Sequence, residues 1–138
     1  MNIQFSKKTL PTSHAHIIFV YEDRELSDGA ALVDKKTGGL VNRAVNVGHF
    51  SGKFGQIIEL VAPANLEINR LVVVGLGRPS GLDQVKAQQI GGKIMARLIS
   101  SGDEQISIAA DAPKAADMSN AEFAAHLGLG LRLRRYRF

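Results

Sequence analysis

The stretch RLVVVGLGRPSGLDQVKAQQIGGK, residues 70–93, constrains the fold more than any other part of the chain. Residues 71–76 are apolar or glycine without interruption, so a strand of period two made from them has no polar face and must be covered on both sides. A Gly/Pro-rich turn follows, and beyond it Ala87, Ile90, Ile94 and Leu98 recur at three- and four-residue spacing, which is one stripe of a helix spanning about Leu82 to Ser101. Gly91 lies on the same stripe, where a missing side chain lets helix and sheet approach closely.

The turn itself invites a cofactor reading. A dinucleotide fingerprint, G-x-G-x-x-G, needs one glycine for the tight turn, one for approach of the pyrophosphate and one for helix–strand packing. Gly75 and Gly77 fit, but Ser80 stands at the third position and Gly81 comes one residue late. Pro79 also removes an N–H that could face a phosphate. The spacing favours a plain strand-to-helix turn.

Other segments extend the pattern. Ile3 and Phe5 suggest a short strand, and HAHIIFVYE, residues 14–22, is a second, bounded by LPTS before it. In SDGAALVDKKTGG, Asp28 is the expected cap of a helix that the Gly38–Gly39 pair ends. LVNRAVNVGHF reads as another helix. GQIIELVAP and NRLVVVGLG are two apolar runs joined by a short loop, both with the character of central strands. QISIAADAP is a further strand, and Ser119 with Glu122 three residues on forms a capping box for a last helix carrying Phe123, Leu127 and Leu131. The alternation predicts an α/β fold, a three-layer α/β/α domain around a mixed sheet.

A chain of 138 residues with 45% hydrophobic residues suits one such domain. It has no cysteine, which excludes disulfides, thiolate nucleophiles and Cys-ligated metals and fits a reducing compartment. No window approaches the ~20 apolar residues of a membrane span, so a cytoplasmic protein without a membrane partner is expected. The net charge of +4 looks like an invitation to nucleic acid, yet Arg132, Arg134, Arg135 and Arg137 supply all of it; without them 13 basic residues face 13 acidic ones. A nucleic-acid surface spreads its cations over a face, whereas these cluster at one end.

Chemical constellations are sparse. His14 and His16 share one side of a strand and could begin a metal site, but no third ligand is placed by the sequence. In GHFSGKFG, residues 48–55, His49 precedes Ser51 where a nucleophile elbow needs glycine, and three residues separate Gly48 from Gly52 where a phosphate loop needs four. Asp83, Asp103, Asp111 and Asp117 sit at helix starts, turns or loops, where capping and solvation suffice.

Taken in order, DGAALVDKKTGGLVNRAVNVGHFSGKFGQ, LVVVGLG, LDQVKAQQIGGKI and AAHLGLGLRLRRYRF resemble the N-terminal domain of leucyl aminopeptidase, in the cytosol aminopeptidase family of two-metal exopeptidases. The likeness spans essentially the whole chain. It implies a macro-domain-like domain over residues 1–138, non-catalytic, joined by a long helix to a larger C-terminal domain that holds two divalent ions, Zn or Mn, and all catalytic groups. No catalytic or metal-binding residue carries over to this chain, which ends about where that linker should begin. The implied partners are the C-terminal domain and, for the full-length protein, five further copies in a hexamer. Two alternatives stay open. Macro-like domains often bind ADP-ribose, which would make Gly75, Gly77 and Arg78 the turn of a ligand crevice, and the C-terminal arginines could hold nucleic acid.

Overall fold

In the computed structural model, which describes residues 2–5 and 14–135, the apolar run of residues 71–76 lies inside a strand whose neighbours on both sides are also strands. The elements, in chain order, are β1 (Asn2–Phe5), β2 (Ala15–Tyr21), α1 (Asp28–Lys36), α2 (Leu40–Val45), β3 (Ile57–Val61), β4 (Arg70–Gly77), α3 (Gln84–Leu98), β5 (Gln105–Ile108) and α4 (Asn120–Arg135). They build a five-stranded sheet in the order β1-β5-β2-β4-β3. Every neighbouring pair is parallel except β3 with β4, so the sheet is mixed.

Alternation along β2 and β4 divides the core in two. Ile17, Phe19, Val72 and Val74 face α3 and α4, where they meet Ile90, Ile94, Leu98, Phe123, Leu127 and Leu131. Ile18, Val20, Leu71 and Val73 face α1 and α2, against Ala30, Val33, Val41 and Val45. Each fully buried aliphatic or aromatic side chain contributes about 1.5–3 kcal/mol, and this two-sided burial is what a strand lacking a polar face requires. The three-layer α/β/α architecture is as the sequence predicts.

Several local expectations are corrected. β3 is an edge strand rather than a central one; its first four residues are half-buried, and its last, Val61, is 71% exposed. Ser27, not Asp28, caps α1: the Ser27 backbone is extended, its N–H donates to Phe19 O (3.1 Å), and its Oγ accepts the Ala30 N–H at 3.2 Å. LVNRAVNVGHF is helical only over Leu40–Val45, and α3 runs Gln84–Leu98 rather than Leu82 to Ser101; Asp83 caps its start, accepting the Lys86 N–H at 2.8 Å, and Ile99 caps its end. The Ser119–Glu122 capping box is present, with the Glu122 N–H donating to Ser119 Oγ at 3.1 Å and the Ser119 N–H to Glu122 Oε1 at 3.2 Å.

Gly91 brings α3 onto α4 rather than onto the sheet. A Cβ there would strike the Leu127 carbonyl oxygen, and one on Gly130 would strike that of Gln88. The two glycines let the helix backbones touch, and this contact repays the roughly 1 kcal/mol that each costs against alanine in a helix. The LPTS segment and Arg137 lie outside the described residues.

Candidate functional site: the crevice at the carboxyl ends of the strands

Parallel β2 and β4 end together at Tyr21 and Gly77, while β5 ends at Ile108, opposite Ile17 of β2, and the crevice beyond such strand ends is where α/β sheets take ligands. A cleft of about 410 Å³ opens there. Tyr21, Glu25, Ser27, Asp28, Pro79 and Asp111 contribute to its walls, and Lys114 is the basic residue among its lining. The charge of the cleft is therefore acidic. Burial, then the carboxylates of Asp111, Asp28 and Glu25, push the Tyr21 phenol well above its usual pKa, so it stays a neutral donor, with its hydroxyl 3.3 Å from the Asp111 carbonyl oxygen.

The turn that the sequence singles out lies beside this cleft and under a lid of backbone. Gln56 organises the preceding loop, its Oε1 accepting the N–H groups of Ser51 and Lys53 at 3.0 Å each. The loop then bonds along the end of β4: Gly75 N–H to Gln56 O at 2.8 Å, Gly55 N–H to Gly75 O at 3.0 Å and Gly77 N–H to Gly52 O at 2.9 Å. A Cβ on Gly75 would strike the Lys53 carbonyl oxygen, and Gly77, at φ +74°, lies against Phe54. Both glycines are thus explained by close backbone approach and a left-handed turn. Arg78 points outward, with its side chain 83% exposed and its guanidinium 3.5 Å from Glu22, an ion pair worth little in solvent. None of the three lines the cleft.

The other sequence candidates are spread apart. His16 is buried and shares a hydrogen bond between its Nδ1 and Ser107 Oγ, while His14 accepts the Glu104 N–H at 3.1 Å; each is committed to β5 or its approach. At the amino end of the sheet Arg70 donates to Asp103 at 3.0 Å and to Glu59 at 3.3 Å, and Arg97 reaches Glu59 at 3.1 Å. Burial alone would raise the Asp103 carboxyl, but hydrogen bonds from Arg70, Ser101 and Asn69 outweigh it and hold the carboxyl below its ordinary range. Asp103 is therefore part of a buried ion pair rather than a solvated loop residue. Sequence spacing could not show this, because its partner lies 33 residues away.

A two-metal hydrolase needs several carboxylates or imidazoles around ions ~3.5–4 Å apart. Among the described residues no group of three or more His, Cys, Asp or Glu side chains could hold even one metal ion. The described residues do not fit such a centre.

Fold and cleft define a macrodomain-like α/β/α unit. It superposes on the macrodomain of Mycobacterium tuberculosis DarG with a TM-score of 0.68 at 7% identity, covering 95% of this chain and 90% of that one. It also superposes on a mutant of tomato leucine aminopeptidase with a TM-score of 0.64 at 18% identity, covering 94% of this chain and 28% of the other. Residues 17–138 match the cytosol aminopeptidase family, N-terminal domain. A probable cytosol aminopeptidase of Rhodopseudomonas palustris is 36% identical over 133 residues, and one from a Bradyrhizobium species is 33% identical over 132. The chain belongs to the cytosol aminopeptidase family, as its N-terminal domain. It covers 94% of its own length in those matches and spans only 26% of either relative.

Proposed function

We propose that this chain is the non-catalytic scaffold domain, residues 1–138, of a longer cytosolic metallo-aminopeptidase that removes N-terminal residues from peptides. The observation that carries this reading is a mismatch. The chain matches relatives named as aminopeptidases over a quarter of their length, and its described residues offer no cluster fit for a metal. The chemistry then belongs to a C-terminal domain that would hold two divalent ions, Zn or Mn. The Gly75–Gly77 turn acts as a structural joint, supported by the loop packed onto it. The full-length protein assembles as a hexamer through its catalytic domains.

The test is hydrolysis of leucine anilides by the 138-residue chain with added Mn²⁺ or Zn²⁺. No turnover above metal alone is expected. Metal-dependent turnover that survives purification to homogeneity would overturn the reading.

A further inference from the structure

At the carboxyl ends of parallel strands, phosphates are held by the free N–H groups in the first turn of a helix, where the helix dipole favours an anion. The helix placed to do this here is α1, and two of its first N–H groups are already taken. Ala30 N–H donates to Ser27 Oγ at 3.2 Å. Gly29 N–H donates to Asp111 Oδ2 at 2.7 Å, a carboxylate arriving from the loop after β5, 82 residues along the chain.

The fit around that carboxylate is close. A Cβ on Gly29 would meet Ala109 Cβ at 2.5 Å and Asp111 Oδ2 at 2.7 Å, so only glycine lets the loop seat on the helix. The loop is tied down on either side of this contact. Ala109 N–H donates to Ile17 O at 3.0 Å, and the Tyr21 hydroxyl lies 3.3 Å from the Asp111 carbonyl oxygen. A charge-assisted bond of this kind is among the stronger ones, and it satisfies at the helix end what a phosphate oxygen would satisfy. Glu25 and Asp28 line the same cleft and add repulsion toward any second anion. The neighbouring glycine turn is equally closed, since backbone of residues 52–55 lies on Gly75 and Gly77.

We propose that Asp111 is an internal anion that occupies the phosphate position of this fold and thereby closes the crevice to phosphate-bearing ligands. The chain keeps the architecture that elsewhere presents a helix end to phosphate, and uses that helix end to fasten the loop after β5. The proposal goes beyond the scaffold reading and is tested separately from it, since phosphate binding and peptide hydrolysis are read in different assays.

The experiment titrates inorganic phosphate, and separately ADP-ribose, into the wild-type chain and into Asp111→Ala and Asp111→Ser, whose side chains are too short to reach the Gly29 N–H. Binding is followed by calorimetry and by the amide resonances of Gly29 and Ala30. Neither ligand should saturate the wild type at millimolar concentration. The shortened variants should bind phosphate at least about tenfold more tightly than the wild-type limit, with Gly29 moving most. Using both ligands separates a bare anion site from one that also holds a nucleoside. Saturable binding of either ligand to the wild type through Gly29 and Ala30 would overturn the proposal, as would folded variants that gain nothing. Should one variant fail to fold, the other decides, and saturable wild-type binding through Gly29 and Ala30 overturns the proposal whether or not either folds.

Discussion

Acid should weaken this fold well before its carboxylates protonate, and His16 is the reason. It is 2% exposed, and burial, opposed only in part by hydrogen bonding to the Ser107 backbone, brings its pKa down from 6.5 to about 4. Between those values the unfolded chain binds a proton that the folded chain refuses. Stability is therefore complete above about pH 6.5 and falls as the pH drops toward 4, where the folded imidazole finally charges. At about 1.4 kcal/mol per pKa unit, the loss between pH 7 and pH 5 is about 2 kcal/mol. Asp103, held below the ordinary carboxylate range, loses its contribution in the same direction but only at lower pH, and so does not enter this window. With a urea slope of about 1–3 kcal/mol per molar, the midpoint should move by about 1 M. Urea titrations at pH 7, 6 and 5 read it directly. His16→Gln, which has no imidazole to charge, should be less stable at pH 7 and nearly flat across the same window. A wild type that is flat from pH 7 to 5, or a variant that loses as much as the wild type, would refute the reasoning.

Three further outcomes follow from the contacts. Gly91→Ala and Gly130→Ala each drive a methyl into a facing helix backbone, and overpacking of about 1–3 kcal/mol should exceed the propensity gain, whereas Gly92→Ala, whose added carbon meets nothing closer than 3.9 Å, should stabilise by up to about 1 kcal/mol; thermal melts of the three distinguish the sites. Four phosphate contacts from the terminal arginines would give any DNA affinity a salt slope of about −3.6, and deleting residues 132–138 should abolish that affinity in a fluorescence anisotropy titration. Leu129 and Leu133, 39% and 51% exposed on α4, extend its apolar band beyond the buried stripe, so sedimentation should show a monomer or weak dimer that Leu133→Asp dissociates further, not a hexamer.

The features legible in the sequence are those the chain states locally. The unbroken apolar run of β4, the 87–90–94–98 stripe of α3 and the Ser119–Glu122 box each lie within a few turns or residues, and each stands where its pattern puts it. The failures are those of distance and of near-degenerate neighbours. Ser27 and Asp28 are both good caps, and the bond from the Ser27 N–H to Phe19, a strand residue eight positions earlier, is a contact that cap preference alone does not state. IIELV looks as apolar as a central strand, and its one signal of edge position is Glu59, which turns to Arg70 and Arg97. Gly91 is visibly special, but its partner is a carbonyl on another helix. The candidate crevice was hardest. Asp111 reads as an ordinary loop carboxylate because the helix end it fills lies 82 residues away, and its sole local signal is a carboxylate shortly after the end of β5 at Ile108.

The central claim is that this domain is one part of a longer peptidase, and the size of the native polypeptide tests it most directly. An antibody raised against the folded domain should detect, in extracts of the source cells, a band about four times the length of this chain, since the chain spans 26% of its relatives, and that band should carry metal-dependent aminopeptidase activity when immunoprecipitated. A native product no larger than 14.9 kDa, or a long one without that activity, would contradict the account.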